Sequence, residues 1–162
     1  MIRPVLLFLT LSLVATPAAA DWDRTRWGMT PQAVKALYPA AVPSGDPALV
    51  DPAKPLLQLE QPYVFDGQTF DLARLFFRNA GGLDRVEFMA MNAQDKVPGL
   101  LAWLEQRYGP PVFSEGPTQA PSNSVEILEV RYRPANGDRV VFMVLWTEGV
   151  ALVGLSWEPP AA

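Results

Sequence analysis

The chain has 162 residues, with 13 basic and 17 acidic side chains, and it contains neither cysteine nor histidine. Histidine is the side chain that titrates nearest neutrality, and cysteine and histidine supply most zinc, haem and iron–sulfur ligands. Their absence excludes thiol proteases, Ser-His-Asp hydrolases, zinc hydrolases and disulfide oxidoreductases, and a net charge of −4 without a basic run argues against nucleic-acid or anionic-membrane binding.

Residues 1–20 read as a secretory signal. Arg3 opens it, Val5 to Val14 is an apolar run, and Thr16 to Ala20 ends in an Ala-x-Ala site, which places cleavage between Ala20 and Asp21. A transmembrane anchor needs about 18 or more apolar residues, and Pro17 interrupts this run. Lipidation would need a cysteine where Asp21 stands. The expectation is an exported protein, periplasmic or otherwise extracellular, without a stable membrane anchor. The remaining 142 residues carry a net side-chain charge of −5 and suit one domain, 21–162, whose core must hold without disulfides.

Trp27 to Pro39 (WGMTPQAVKALYP) predicts a short helix. Thr30 can accept from a free N–H of the first turn, Pro31 fits a position that needs no N–H, Met29 and Val34 have hydrophobic-staple spacing, and Pro39 ends it. Residues 39–55 hold five prolines and predict a stiff connection. Strands are expected at Leu56–Phe65, Phe70–Phe77 and Leu83–Met91. Asp66-Gly67 marks a two-residue hairpin, and Asn79 to Gly82 joins the last two strands.

The second half follows the same order. Leu100, Leu101, Trp103, Leu104 and Tyr108 share helical spacing, and Gly109-Pro110-Pro111 stops that helix. A Pro-rich stretch reaches Ser124. Strands are then expected at Val125–Arg133, Arg139–Thr147 and Val150–Trp157, with turns at Asn136-Gly137 and Glu148-Gly149. The two Asx-Gly turns lie 70 positions apart, which predicts a duplicated α-β-β-β unit with pseudo-repeats at about 27–91 and 97–158.

Alternation along the strands predicts the faces. Val86, Phe88 and Ala90 oppose Arg85 and Glu87, and Leu128, Val130 and Tyr132 oppose Glu129, Arg131 and Arg133. The fold class expected is α+β, an antiparallel sheet with helices packed on one face and the other face open. Arg139–Thr147, apolar on both faces, reads as a central strand or one with extra covering.

No phosphate loop, dinucleotide glycine pattern, Ser-x-x-Lys or Gly-x-Ser-x-Gly occurs. Glu126 with Glu129, and Asp84 with Glu87, are three apart on strands and so face opposite ways, which is unsuited to paired-carboxylate catalysis. Glu60 and Glu129 hold matching places in the two halves and could meet only through the fold. Asp21-Trp22-Asp23 opens like a calcium loop, but Arg26 and Gln32 stand where the loop's glycine and bidentate glutamate belong. No metal or cofactor is expected. The candidate binding residues are Trp22, in a polar terminus, and Arg74 with Phe76. Arg74 sits among Phe70, Leu72 and Phe76, where it can grip an acidic or aromatic partner or lie against Glu87 across the sheet. Trp27, beside the helix start, is expected in the core.

Trp27-Gly28-Met29-Thr30 with Val34, together with Tyr108-Gly109-Pro110, resembles small outer-membrane-assembly lipoproteins and tandem-repeat β-lactamase-inhibitor-like proteins. The resemblance implies helix-plus-antiparallel-sheet units and a non-catalytic role, and it covers only the two helix regions. The chain departs from those groups in having no lipidation cysteine and in ending its first helix at Tyr38-Pro39. The function expected is a non-enzymatic binding protein whose partner is another envelope protein, engaged through an open sheet face or the Pro-rich loops. The alternatives are a carboxylate-dependent enzyme on an envelope polymer and a small-ligand or lipid carrier with an apolar pocket between helices and sheet.

Overall fold

The computed structural model describes residues 22–43, 56–59, 61–78, 81–117, 125–147 and 150–160. The signal segment with its Ala20–Asp21 junction, Glu60, the Asn79-Ala80 and Glu148-Gly149 turns and most of the two Pro-rich connections lie outside these residues. No described helix is long and apolar enough to cross a membrane.

Helix α1 (Pro31–Leu37) is set by its ends. Thr30 Oγ1 accepts from Ala33 N at 3.2 Å, Pro31 opens the first turn, and the Tyr38 N–H closes onto Val34 O. Helix α2 (Val97–Tyr108) starts one turn before the apolar spacing begins, because Pro98 in the first turn loses no helical hydrogen bond. It stops where Gly109 takes φ 79 and donates to Glu105 O at 2.8 Å. Val97, Leu100 and Leu104 form its buried stripe.

The strands are β1 (Val42–Pro43), β2 (Leu56–Gln58), β3 (Tyr63–Phe65), β4 (Gln68–Phe70), β5 (Leu72–Phe77), β6 (Leu83–Ala90), β7 (Phe113–Glu115), β8 (Glu126–Tyr132), β9 (Arg139–Thr147) and β10 (Val150–Glu158). Eight of them form one antiparallel sheet in the order β1-β2-β5-β6-β10-β9-β8-β7, while β3 and β4 make a separate hairpin. With two helices and a predominantly antiparallel sheet, the protein is of mixed α+β class. Strand β9 is interior, as its two apolar faces predict.

Two expected strands are broken. Leu56–Phe65 divides into β2 and β3 because Pro62 has no N–H to give a ladder. Phe70–Phe77 divides at Asp71, whose N–H donates to Met89 O at 2.9 Å while its Oδ2 accepts from Met91 N at 2.7 Å. That second bond ties the bend to the end of β6. Between the two breaks Asp66 and Gly67 take φ 48 and 77, both positive as a type I′ turn requires, and the β3–β4 hairpin turns Phe65 and Phe70 into the core.

Asn136-Gly137 behaves differently. Only Gly137 has positive φ, its N–H donates to Pro134 O, and the connection runs from 133 to 138. Proline lacks the donor that a tight two-residue ladder would use at 134. The sheet also takes four strands from each half rather than three, since Val42–Pro43 and Phe113–Glu115 pair at its edges. Short exposed edge strands tolerate a proline that a central strand would not. Beyond β7 the chain crosses β8 closely: a Cβ on Gly116 would overlap the Ile127 carbonyl oxygen.

The core lies on one face of the sheet, here called the inner face. Val86 and Phe88 from β6, Leu155 and Trp157 from β10, and Phe142 and Val144 from β9 are all fully buried there. Phe88 is the hub. Its ring lies 5.0 Å from Phe70, 5.2 Å from Trp157, 5.4 Å from Tyr63, 5.7 Å from Phe65 and 5.8 Å from Trp22, centroid to centroid. From α2, Tyr108 Oη accepts from Trp157 Nε1 at 3.0 Å and Trp103 Nε1 donates to Asp66 Oδ2 at 2.9 Å. Trp157, Trp103 and Tyr108 therefore pack their rings with their polar atoms satisfied, whereas the buried Trp22 Nε1 has no hydrogen-bond partner.

Candidate functional site

The outer face of the sheet has a different chemistry. Register aligns three rows across it. One runs Leu72, Met89, Gly154, Met143, Glu129 and Glu115; the next runs Gln58, Arg74, Glu87, Ser156, Val141, Arg131 and Phe113. The third aligns Leu152, Leu145 and Ile127. Ile127 is 52% exposed and Met143 42%, with Met89, Leu145 and Leu152 partly exposed beside them. Above Gly154 there is open space, so the missing side chain leaves a furrow between Met89 and Met143. Among the described residues, no ring contact or hydrogen bond from α1, α2 or the β3–β4 hairpin reaches this face.

Charged groups flank the apolar strip. Arg131 pairs with Glu129, and Arg139 with Glu158. Arg74 stands directly opposite Glu87 in register, the cross-strand arrangement expected, although no ion pair joins them among the described residues. Phe76 stands opposite Arg85, whose guanidinium lies 3.8 Å from the ring centroid. The Nε atoms of Arg74 and Arg85 are both shut off from solvent and have no hydrogen-bond partner. Arg74 and Phe76 are thus neighbours on the outer face with Leu72, whereas Phe70, expected on the same face, is turned into the core by the bend at Asp71.

Trp22 lies on the other side of the molecule. It is fully buried, stacked on Tyr38 at 5.6 Å, and its ring presents no area to a partner. Trp27, expected in the core, is only partly buried and donates from Nε1 to Asp138 Oδ1 at 2.8 Å. Trp27 still packs against the core from its edge, whereas Trp22 departs from expectation because its ring partners (Tyr38 stacked, Tyr63 and Phe88 tilted) come from distant segments. Arg85 went unmarked as a site residue, although the alternation at Val86, Phe88 and Ala90 already placed it with Glu87 on the outer face.

Two grooves border the inner face. One of about 450 Å³ is lined by Trp22, Asp23, Tyr63, Val64, Phe65, Asp66 and Arg107. A second of about 490 Å³ lies between the end of α1 and the β2–β3 bend, and it meets the first at Tyr63. Tyr38 Oη donates to Asp23 Oδ2 at 2.5 Å. Burial, followed by that bond to the Asp23 carboxylate, pushes the Tyr38 phenol well above its ordinary value. Burial and then the Asp23 charge push Tyr63 up to about 12, and burial followed by the Glu105 charge raises Tyr132.

These shifts set an alkaline limit. A phenol raised above its unfolded value of 10.0 contributes stability that is fully present below that pH and lost as the pH rises through the folded value. Absorbance at 295 nm should show Tyr38 and Tyr63 still protonated at about pH 10.5, where the denatured chain is mostly ionised, with resistance to urea falling from about pH 10 upward. Simultaneous ionisation of all four tyrosines near pH 10 in the native protein would contradict this assignment.

No group of three acidic side chains able to hold a metal ion occurs among the described residues. The carboxylates brought together are Glu115 and Glu129, opposite each other across the β7–β8 edge, with Arg131 already on Glu129. Neither lines either of the two grooves. Compared with protein-family models, with curated proteins and with solved structures, the chain has no match.

Proposed function

We propose that this is an exported, non-catalytic binding protein that engages another envelope protein through the outer face of its sheet. The observation that carries the reading is the uncovered apolar strip around Met143, Ile127 and the Gly154 furrow, bordered by charged side chains. Clustered apolar side chains left open to water favour association, and a polar rim sets its orientation. The reading includes a duplicated helix-plus-strands unit with both helices on the inner side. The strand order supports it: outward from the β6–β10 seam, each half contributes its fourth, third, second and first sheet strands in turn.

A photo-crosslinking residue placed at Met143 or Ile127 in cells of the source organism should yield discrete protein adducts. The same residue at Ala102, exposed on α2, should yield none. Equal labelling from all three positions, or no adduct from the sheet face, would remove the reading.

A further inference from the structure

We infer that Arg85, stacked on the ring of Phe76, and Arg74, two residues before Phe76 on the same face of β5, form the anchoring point for an acidic segment of the partner protein, its carboxylates accepting from the two guanidinium groups. This rests on the binding role proposed above and specifies the chemistry of the partner. The two arginines are diagonal neighbours, since Arg74 opposes Glu87 and Arg85 lies two residues from Glu87 on β6. Such a diagonal spans roughly 7–8 Å between backbones, which long side chains bridge with ease.

Three features set this pair apart from the other charges on the face. Arg131 and Arg139 are already engaged by Glu129 and Glu158, whereas neither Arg74 nor Arg85 has an ion pair among the described residues. Both Nε atoms are buried without a partner, an unmet cost that a negative charge brought against the guanidinium groups would offset. Stacking on Phe76 holds the Arg85 guanidinium in one orientation, so less freedom is lost when its fork meets a carboxylate.

A carboxylate-bearing protein fits better than a phosphate-rich surface. The chain carries a net charge of −4, which opposes approach to a dense anionic surface. Around the two arginines the neighbours are Leu72, Met89 and Glu87, which suit a mixed polypeptide segment.

The test has two arms, both on the full protein. In the first, the arginine Nε–H resonances are followed by NMR while glutarate, its uncharged diamide or inorganic phosphate is added. The Arg74 and Arg85 signals are expected to shift together and saturably with glutarate, and not with the diamide. Unmoved signals, equal shifts at every arginine, or a stronger response to phosphate would each overturn the proposal. In the second, the yield of the Met143 adduct is measured in R74Q/R85Q and R74K/R85K variants whose melting curves match the parent. The glutamine pair should lower the yield about tenfold or more, and the lysine pair, which keeps charge but loses the fork, by less. An adduct that forms with undiminished yield in R74Q/R85Q refutes the anchor while leaving the binding role standing. If no adduct forms from the sheet face, the binding role itself fails, and the NMR arm still decides whether the two arginines bind carboxylates.

Discussion

Replacing Phe88 by alanine is expected to cost about 3–5 kcal/mol of folding stability, measured as a fall in the urea midpoint. The ring is fully buried and touches five other aromatic rings drawn from the N-terminal segment, the β3–β4 hairpin and β10. No single neighbour can collapse into the space without leaving its own contacts, so the cavity penalty adds to the lost transfer free energy. Against a total stability of about 5–15 kcal/mol for a domain, that loss approaches unfolding. Phe88→Leu should cost much less, on the order of 1–2 kcal/mol, because most of the volume remains. A Phe88→Ala protein within about 1 kcal/mol of the parent would mean that the ring cluster does not hold the two halves together.

Asp138→Ala should cost about 2–4 kcal/mol by a different route. Asp138 is fully buried, and its carboxylate accepts from Trp27 Nε1 and from Asn136 Nδ2, each at 2.8 Å. Its own N–H donates to Asn136 Oδ1 at 3.1 Å, which fixes the loop between β8 and β9. Truncation leaves donors without an acceptor away from water, and each such group costs about 1–3 kcal/mol. Asp138→Asn keeps one acceptor oxygen for the indole and should lose roughly half as much. The link spans 111 residues, so a red shift in Trp27 fluorescence should accompany the loss. Stability unchanged to within about 0.5 kcal/mol would show that this bond does not tie the N-terminal segment to the sheet.

Both predictions depend on contacts that local pattern does not contain. The β9 span, the cap at Thr30, the stop at Gly109 and the Asp66-Gly67 turn were legible because each is decided within a few residues, by alternation, by a side-chain oxygen or by positive φ. The Asn136-Gly137 dipeptide carried the same local signal and formed a longer turn, since Pro134 lies before it and Asp138 is held from outside by Trp27. The break at Asp71 was illegible because its cause is a hydrogen bond to Met91, twenty positions away. Without that break Phe70 would share the face of Arg74.

For the candidate site the division is similar. Sequence alone marked Arg74 and Phe76, and alternation placed Arg85 and Glu87 together on the polar side of β6. The pairing register, which the sequence does not specify, brought Arg85 over Phe76 and set Arg74 against Glu87 without an ion pair. Composition determined what the protein lacks, and periodicity determined which residues would turn toward water and which away from it. The tertiary structure decided which distant rings close around Phe88, which arginines stay unmatched among the described residues, and that Trp22 belongs to the interior. The physical reason is range. Capping, turn conformation and alternation act over a few bonds, whereas packing and desolvation depend on groups that only the complete fold brings together.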